Sequence, residues 1–317
     1  MAFKVYYGAG FEDKDFVQKT IDDWNNGEQG FTLHTSGSTG LPKAIELPRE
    51  LLEWSSIETQ ERLQLSNEHI FCCLPVQKTG GYMQLIRAIH LNYEITLSAP
   101  TSNPLKDLDT SKYSIISVTP HQLTQILKES PDKILNFKNV LIGGSLIEDE
   151  LLELIAKVED STTFWETYGM TETASHFALK NLSSNEKLFT ANEGVVLGNK
   201  KGCLSMEIPE LNFKVETTDL VILQKSGFRI LGRIDDVINS GGVKIHPAIV
   251  EPQIRVELKK MGLYRSLYLA AKQDDNLGQT AVLVIEGNPI KDEAFLMESL
   301  RRNLPQYQAP KEVLYVE

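Results

Sequence analysis

Thr35-Ser-Gly-Ser-Thr-Gly-Leu-Pro-Lys43 places four hydroxylated side chains, two glycines and a lysine between Phe31-Thr-Leu-His34 and Ala44-Ile-Glu-Leu47. Both flanking segments read as strands, so the stretch reads as the loop that joins them. Gly37 and Gly40 allow positive φ and a close approach of backbone N–H groups to an anion. Thr35, Ser36, Ser38 and Thr39 add donors, and Lys43 adds a charge. A P-loop needs Lys directly after Gly and a Ser or Thr next, whereas Leu41 and Pro42 intervene here and Ala44 follows. The loop is therefore a phosphate-binding candidate of another kind; a glycine-serine linker is the plain alternative.

Outward from this loop, short apolar runs alternate with helical periodicity as far as about residue 219, an α/β signature. Strands are expected at His69–Leu74, Tyr113–Val118 and Asn139–Ile142. Helices are expected at Pro48–Leu65, with Pro48 in the first turn, and at Gly80–His90, Pro120–Lys128 and Glu148–Val158. From Gly202 to Leu231 strand follows strand, with turns at Glu210, Thr218 and Ser226-Gly227, which predicts a small antiparallel layer. Beyond Gly232-Arg233 the order strand, helix, strand, strand, helix, strand predicts a compact α+β unit. The expected division is 1–233 and 234–317, joined at a short hinge.

The chain has 317 residues, is 41% hydrophobic and carries a formal charge of −11. That size supports one sizeable core and a smaller second one. The acidic balance argues against nucleic acid and against an anionic membrane surface as partners. No run approaches eighteen uninterrupted apolar residues, which predicts no membrane insertion, and the N-terminus does not read as a signal peptide. Cys72, Cys73 and Cys203 lack metal-ligand spacing and read as buried free thiols of a cytoplasmic protein.

Three more segments carry chemistry. Trp165-Glu-Thr-Tyr-Gly-Met-Thr-Glu-Thr173 is expected to follow a strand. Tyr168 offers a flat face for adenine, Gly169 permits close backbone approach, Thr171 can donate to a phosphate oxygen, and Glu172 is a hard ligand suited to Mg²⁺. The plainer alternative is a strand-end turn with an aromatic in the core. Gly143-Gly-Ser-Leu146 ends a strand and would by itself be a turn. Gly232-Arg-Ile-Asp-Asp-Val-Ile-Asn-Ser-Gly-Gly-Val-Lys-Ile245 precedes the C-terminal unit.

These four motifs, in this order, resemble the signatures of the adenylate-forming (AMP-binding) superfamily, over the chain from about Phe31 onward. Within it, Tyr168-Gly-Met-Thr-Glu-Thr-Ala-Ser-His-Phe-Ala-Leu179 and Ile238-Asn-Ser-Gly-Gly-Val-Lys-Ile245 are most similar to the short o-succinylbenzoate:CoA ligases of menaquinone biosynthesis. The resemblance implies a large α/β domain with a small β layer and a mobile C-terminal α+β domain. It implies ATP, Mg²⁺ and CoA as cofactor and co-substrates, a small carboxylic acid as the other partner, and is compatible with a homodimer.

The resemblance also implies residue roles. Thr35 to Gly40 bind the nucleotide's phosphates, with Lys43, Thr171 and Glu172 catalytic and Glu172 holding the metal. Gly144, Ser145, Glu166, Thr167, Tyr168 and Gly169 surround the nucleotide. Asp219, whose usual aromatic and glycine neighbours are altered, and Arg233 hold the ribose. Lys78, standing where relatives often have histidine, joins Gly80, Gly81, Ser175 and His176 at the acid, and a lysine there suits an acid with a second carboxylate. His176 reads as a pocket donor, with a satisfied core histidine as the plainer alternative. Asp235 is the pivot, and Ser240, Gly241, Gly242 and Lys244 approach the thiol of CoA. The superfamily's adenylation lysine, expected soon after Ala309-Pro-Lys-Glu-Val-Leu-Tyr-Val-Glu317, is not in this sequence, and a truncated C-terminus is the expectation. A carrier-protein thiol in place of CoA, and a non-catalytic nucleotide-binding relative, remain open alternatives.

Overall fold

Apolar runs too short for helices become the strands of an eight-stranded sheet in the computed structural model, which describes residues 3–35, 43–158 and 161–316. In chain order the first elements are β1 (Lys4–Tyr7), α1 (Lys14–Asn25), β2 (Gly30–Thr35), β3 (Lys43–Pro48), α2 (Arg49–Leu63), β4 (His69–Cys72), α3 (Thr79–His90), β5 (Glu94–Leu97) and β6 (Ile115–Val118). There follow α4 (Pro120–Glu129), α5 (Pro131–Ile134), β7 (Asn139–Ile142), α6 (Asp149–Ile155), β8 (Thr163–Gly169), β9 (His176–Asn181) and β10 (Thr190–Ala191). The large sheet runs β1-β5-β4-β6-β7-β8-β9-β10, parallel from β1 to β8 and antiparallel through β9 and β10.

Both faces of the central strands are covered, which is why their sequences are continuous apolar runs and do not alternate. Phe71, Ile116, Val140, Ile142 and Phe164 from the sheet meet Leu123 and Ile126 of α4, Leu151 of α6, and Phe137 from the segment between α5 and β7 in one core. Each such side chain contributes roughly 1.5–3 kcal/mol on burial. Helix α4 starts where it does because Thr119 and Gln122 form a reciprocal capping box ahead of Pro120.

The chain divides into two compact units: Met1–Leu197, Met206–Val215 and Lys225–Gly227 form the first, and Gly198–Ser205, Glu216–Gln224 and Phe228–Glu317 the second. A four-stranded sheet runs β11-β12-β13-β14, from β11 (Val196–Lys200), β12 (Cys203–Ile208), β13 (Phe213–Gln224) and β14 (Gly227–Arg233). The last elements are β15 (Ile238–Ser240), β16 (Val243–Ile245), α7 (Pro247–Lys260), β17 (Leu267–Asp274), β18 (Gly278–Glu286), α8 (Glu293–Asn303) and β19 (Glu312–Val316). They carry their own core of Val250, Ile254, Leu283, Ile285, Leu296 and Leu300.

Several sequence expectations change. Strand β13 runs without a break through Thr218, so no turn forms there; its Thr217 hydroxyl donates to the Leu204 carbonyl and holds the pairing. Pro48 precedes α2 in an extended conformation and is not in its first turn. The first strand of the C-terminal unit is a hairpin, β15 with β16, turned at Gly241 and Gly242, which both have positive φ as a two-residue turn of this hand demands. Trp165 to Gly169 lie within a strand and do not follow one. The residues before Phe31, read from sequence without elements, form β1 and α1, with β1 extending the sheet beside β5. Cys72, Cys73 and Cys203 are buried free thiols, as expected.

Candidate active site

Strands β4, β6, β7 and β8 all end at one cavity of about 410 Å³ within the first unit. Its position follows from the strand order: β5 lies on one side of β4 and β6 on the other, so the loops after β4 and β6 leave in opposite directions and open a crevice at the carboxyl ends. Leu74 and Pro75 follow β4, Thr119 follows β6, Gly143 and Gly144 follow β7, and Gly169, Met170 and Thr171 close β8. The amino end of α3 supplies Lys78, Thr79 and Gly80.

Two glycines bring these walls together. A Cβ on Gly81 would stand 2.4 Å from the Pro75 carbonyl oxygen, and one on Gly169 would stand 2.1 Å from that of Ser175. Neither distance admits a methyl group. Gly81 thus lets α3 start against the loop after β4, and Gly169 lets β8 close onto the Ser175-His176 bend.

Thr79 Oγ1 and Thr171 Oγ1 are 2.7 Å apart, so one hydroxyl fixes the other. Ser175 and His176 also line the cavity. The imidazole is buried, with Nδ1 3.2 Å from Ser175 Oγ and Nε2 3.3 Å from Thr59 Oγ1. Burial, with the Arg87 cation beside it, pushes its pKa down to about 3. His176 is therefore neutral at any ordinary pH: a buried histidine with a partner at each ring nitrogen that also lines the cavity.

Arg87 was not foreseen from sequence. It is 2% exposed yet lines the cavity, and its Nη2 donates to Thr59 Oγ1 at 3.1 Å. Among the described residues its Nε–H has no acceptor, and burial lowers its pKa to about 10, which leaves it charged. A signal existed: Arg87 is the one charged residue in the otherwise uncharged helical stretch Gly81–Ile89. Lys78, the cation the sequence favoured, is exposed and lies at the same cavity.

The other expected residues divide as follows. Ser36 to Pro42, with Gly37, Ser38, Thr39 and Gly40 among them, lie outside the described residues; the strands at the loop's ends pair antiparallel, Thr35 opposite Lys43. Gly144 and Thr167 line the cavity, Thr167 donating to the Ile142 carbonyl. Ser145 is exposed and is not among the lining residues. Glu166 forms an ion pair with Lys180 across β8 and β9 and stays outside the lining. Tyr168, also outside it, is half-buried against Phe177 and Phe189 at 5.3 and 5.7 Å between ring centroids. In the second unit, Arg233 lies 3.8 Å from Asp219 and 3.6 Å from Asp235. Ser240 ends β15, Gly241 and Gly242 form the turn, and Lys244 is exposed on β16.

Glu172 sits half-buried on the turn at Thr171–Thr173. Among the described residues no group of three or more His, Cys, Asp or Glu gathers to hold a metal. A single carboxylate fits Mg²⁺, which is commonly held by one or two carboxylates together with substrate phosphates.

Fold and cavity are those of an α/β protein with a crevice at a topological switch point, the place where such sheets bind ligands. The chain belongs to the AMP-binding enzyme family, whose model matches residues 11–200. It is 32% identical to an acyl-CoA synthetase (AMP-forming)/AMP-acid ligase II-like protein from Dyadobacter fermentans, with a TM-score of 0.66 over 95% of this chain and 88% of that one. It is 28% identical to the 2-succinylbenzoate–CoA ligase of Listeria monocytogenes serotype 4b over 326 residues, covering 94% of this chain and 68% of the relative. The o-succinylbenzoate CoA synthetase of Bacillus subtilis, solved with its acyl-adenylate intermediate, shares the fold with a TM-score of 0.76 at 20% identity; the alignment covers 90% of this chain but only 65% of that one.

Proposed function

We propose that this chain activates a carboxylic acid with ATP and passes the acyl group to the thiol of CoA, and that the acid is 2-succinylbenzoate or a close dicarboxylic relative. One observation carries the choice of acid. Arg87 is a buried cation in the cavity wall, and among the described residues no carboxylate pairs with it. A buried charge without an opposite charge costs several kcal/mol, and an anionic group of the ligand would offset that cost. The carboxylate to be activated must be left free to react, so the anion facing Arg87 is a second one. The Listeria relative named for such a diacid supports the same choice.

In the proposed reaction a carboxylate oxygen attacks the α-phosphorus of ATP, pyrophosphate leaves with the electron pair of the broken P–O bond, and the thiol later displaces AMP. The Thr35–Lys43 loop holds the β- and γ-phosphates, and Thr171, oriented by Thr79, donates to the α-phosphate. Glu172 holds Mg²⁺, which would neutralise charge on the transferring phosphates. Thr167, Gly144 and Gly169 form the wall along the nucleotide. Asp219 and Arg233 hold the ribose, Asp235 is the pivot between domains 1–233 and 234–317, and the Ser240–Lys244 turn admits the pantetheine arm.

The test is acid-dependent ATP–pyrophosphate exchange and CoA thioester formation over a panel of mono- and dicarboxylic aromatic acids. Turnover of 2-succinylbenzoate well above benzoate is expected. Equal turnover of benzoate, or exchange that no acid stimulates, would overturn the reading.

A further inference from the structure

Thr59 of α2 lies behind the cavity wall, fully buried, and is not among the residues that line it. Its hydroxyl has three neighbours: the Ser55 carbonyl at 2.8 Å, Arg87 Nη2 at 3.1 Å and His176 Nε2 at 3.3 Å. A hydroxyl has one proton and two lone pairs. The carbonyl and the guanidinium each leave a single role, so Thr59 donates to Ser55 and accepts from Arg87. The remaining lone pair faces His176, whose Nε2 must then carry the proton. That leaves Nδ1 bare to accept from the Ser175 hydroxyl, 3.2 Å away in the cavity wall. One hydroxyl thereby sets the direction of every hydrogen bond from Ser175 to Arg87.

We propose that Thr59 is a positioning residue for acid specificity, holding the Arg87 guanidinium and the His176 tautomer in the arrangement that receives the acid's second anionic group. This rests on the dicarboxylic reading given above. The Arg87 guanidinium is held through Nη2 and the Ser175 proton is committed to His176 Nδ1, so the donor for the anion is Arg87 and not Ser175. Without the Thr59 hydroxyl, Arg87 Nη2 has no other hydrogen-bond acceptor among the described residues, and the ring of His176 is free to take the opposite tautomer. The neutral state of the ring is consistent with this arrangement, since burial and then the cation beside it both disfavour a charge on it.

The experiment compares Thr59→Val, which keeps the shape and removes the hydroxyl, with Thr59→Ser, which restores it. For Thr59→Val the KM for 2-succinylbenzoate is expected to rise at least tenfold, with kcat and the KM for ATP changing less than about threefold; Thr59→Ser is expected to recover most of the loss. An equal loss for 2-succinylbenzoate and for a monocarboxylic analogue, or no rescue by serine, overturns the proposal. Nitrogen-15 NMR of the unmodified protein gives a reading that depends neither on folding of the variants nor on the substrate assignment. An Nε2–H tautomer of His176 is expected at neutral pH, and an Nδ1–H tautomer or an imidazolium overturns the junction. If no dicarboxylic acid is turned over but the Nε2–H tautomer is found, the functional reading and the specificity role both fail and the junction alone stands.

Discussion

Thr79 Oγ1 stands 2.7 Å from Thr171 Oγ1, although 92 residues separate them in the chain. Thr79 begins α3 and Thr171 begins the turn that ends β8. The amino end of a helix and the carboxyl end of a strand are thus fastened at the point where the α-phosphate is proposed to lie. A hydroxyl held by a neighbour loses less rotational freedom on meeting its ligand.

Coupling between these two threonines is therefore expected in the rate of acid-dependent pyrophosphate exchange. In a double-mutant cycle of Thr79→Val and Thr171→Val, the pair should be non-additive by on the order of 1 kcal/mol, or about fivefold. Strict additivity would show that the contact does not act in the reaction.

Arg87→Met should separate stability from function. It removes a buried cation whose Nε–H has no acceptor among the described residues and keeps an unbranched side chain of similar reach. Denaturant unfolding is expected to show unchanged or higher stability, by about 1 kcal/mol or more, while the KM for 2-succinylbenzoate rises about a hundredfold. A variant that is strongly destabilised would mean that Arg87 is mainly structural.

His176 makes stability depend on pH in a known direction. Its folded pKa is depressed to about 3, below the roughly 6.5 of the unfolded chain. Between these values the unfolded chain binds the extra proton, so stability is present above about 6.5 and is lost as pH falls toward about 3. His69 and His90 are lowered by burial as well, so the contribution of His176 is read as the difference from His176→Gln. Between about pH 7.5 and about pH 5 the unmodified protein should lose on the order of 2 kcal/mol more than the variant. Parallel curves in urea would remove the assignment.

Gly81→Ala tests the joint between α3 and the loop after β4. The added methyl would lie 2.4 Å from the Pro75 carbonyl oxygen and 2.7 Å from that of Leu74, and both are backbone atoms with nowhere to move. A destabilisation of roughly 3 kcal/mol or more is expected, with loss of exchange activity because Lys78 and Thr79 start the same helix. Wild-type stability measured by thermal unfolding would contradict the packing.

Much of the fold was legible because the central strands are buried on both faces. Asn139–Ile142 was read from sequence with the bounds that it has in the structure, since an apolar run of three between Asn139 and Gly143 has few other options. Thr218 was misread as a turn because threonine pairs are common in both turns and strands, and only pairing with β12 decides between them. Residues near the cavity were legible where a motif named them, as with Thr171, Gly144 and Lys78. Tyr168 and Glu166 belong to the same motif, yet strand alternation sends them elsewhere, Tyr168 to Phe177 and Phe189 and Glu166 to Lys180.

Chain order and residue type by themselves determined the α/β alternation and the similarity to adenylate-forming enzymes, because each depends on neighbours a few residues apart. Tertiary structure alone decided that Arg87 reaches the cavity and that Thr59 stands between it and His176. Those contacts span 28 and 117 residues: the first exists because α2 and α3 pack side by side with particular rotations about their axes, the second because the same face of α2 meets the start of β9. No local pattern encodes such a rotation; it is fixed when both helices bury their apolar faces together.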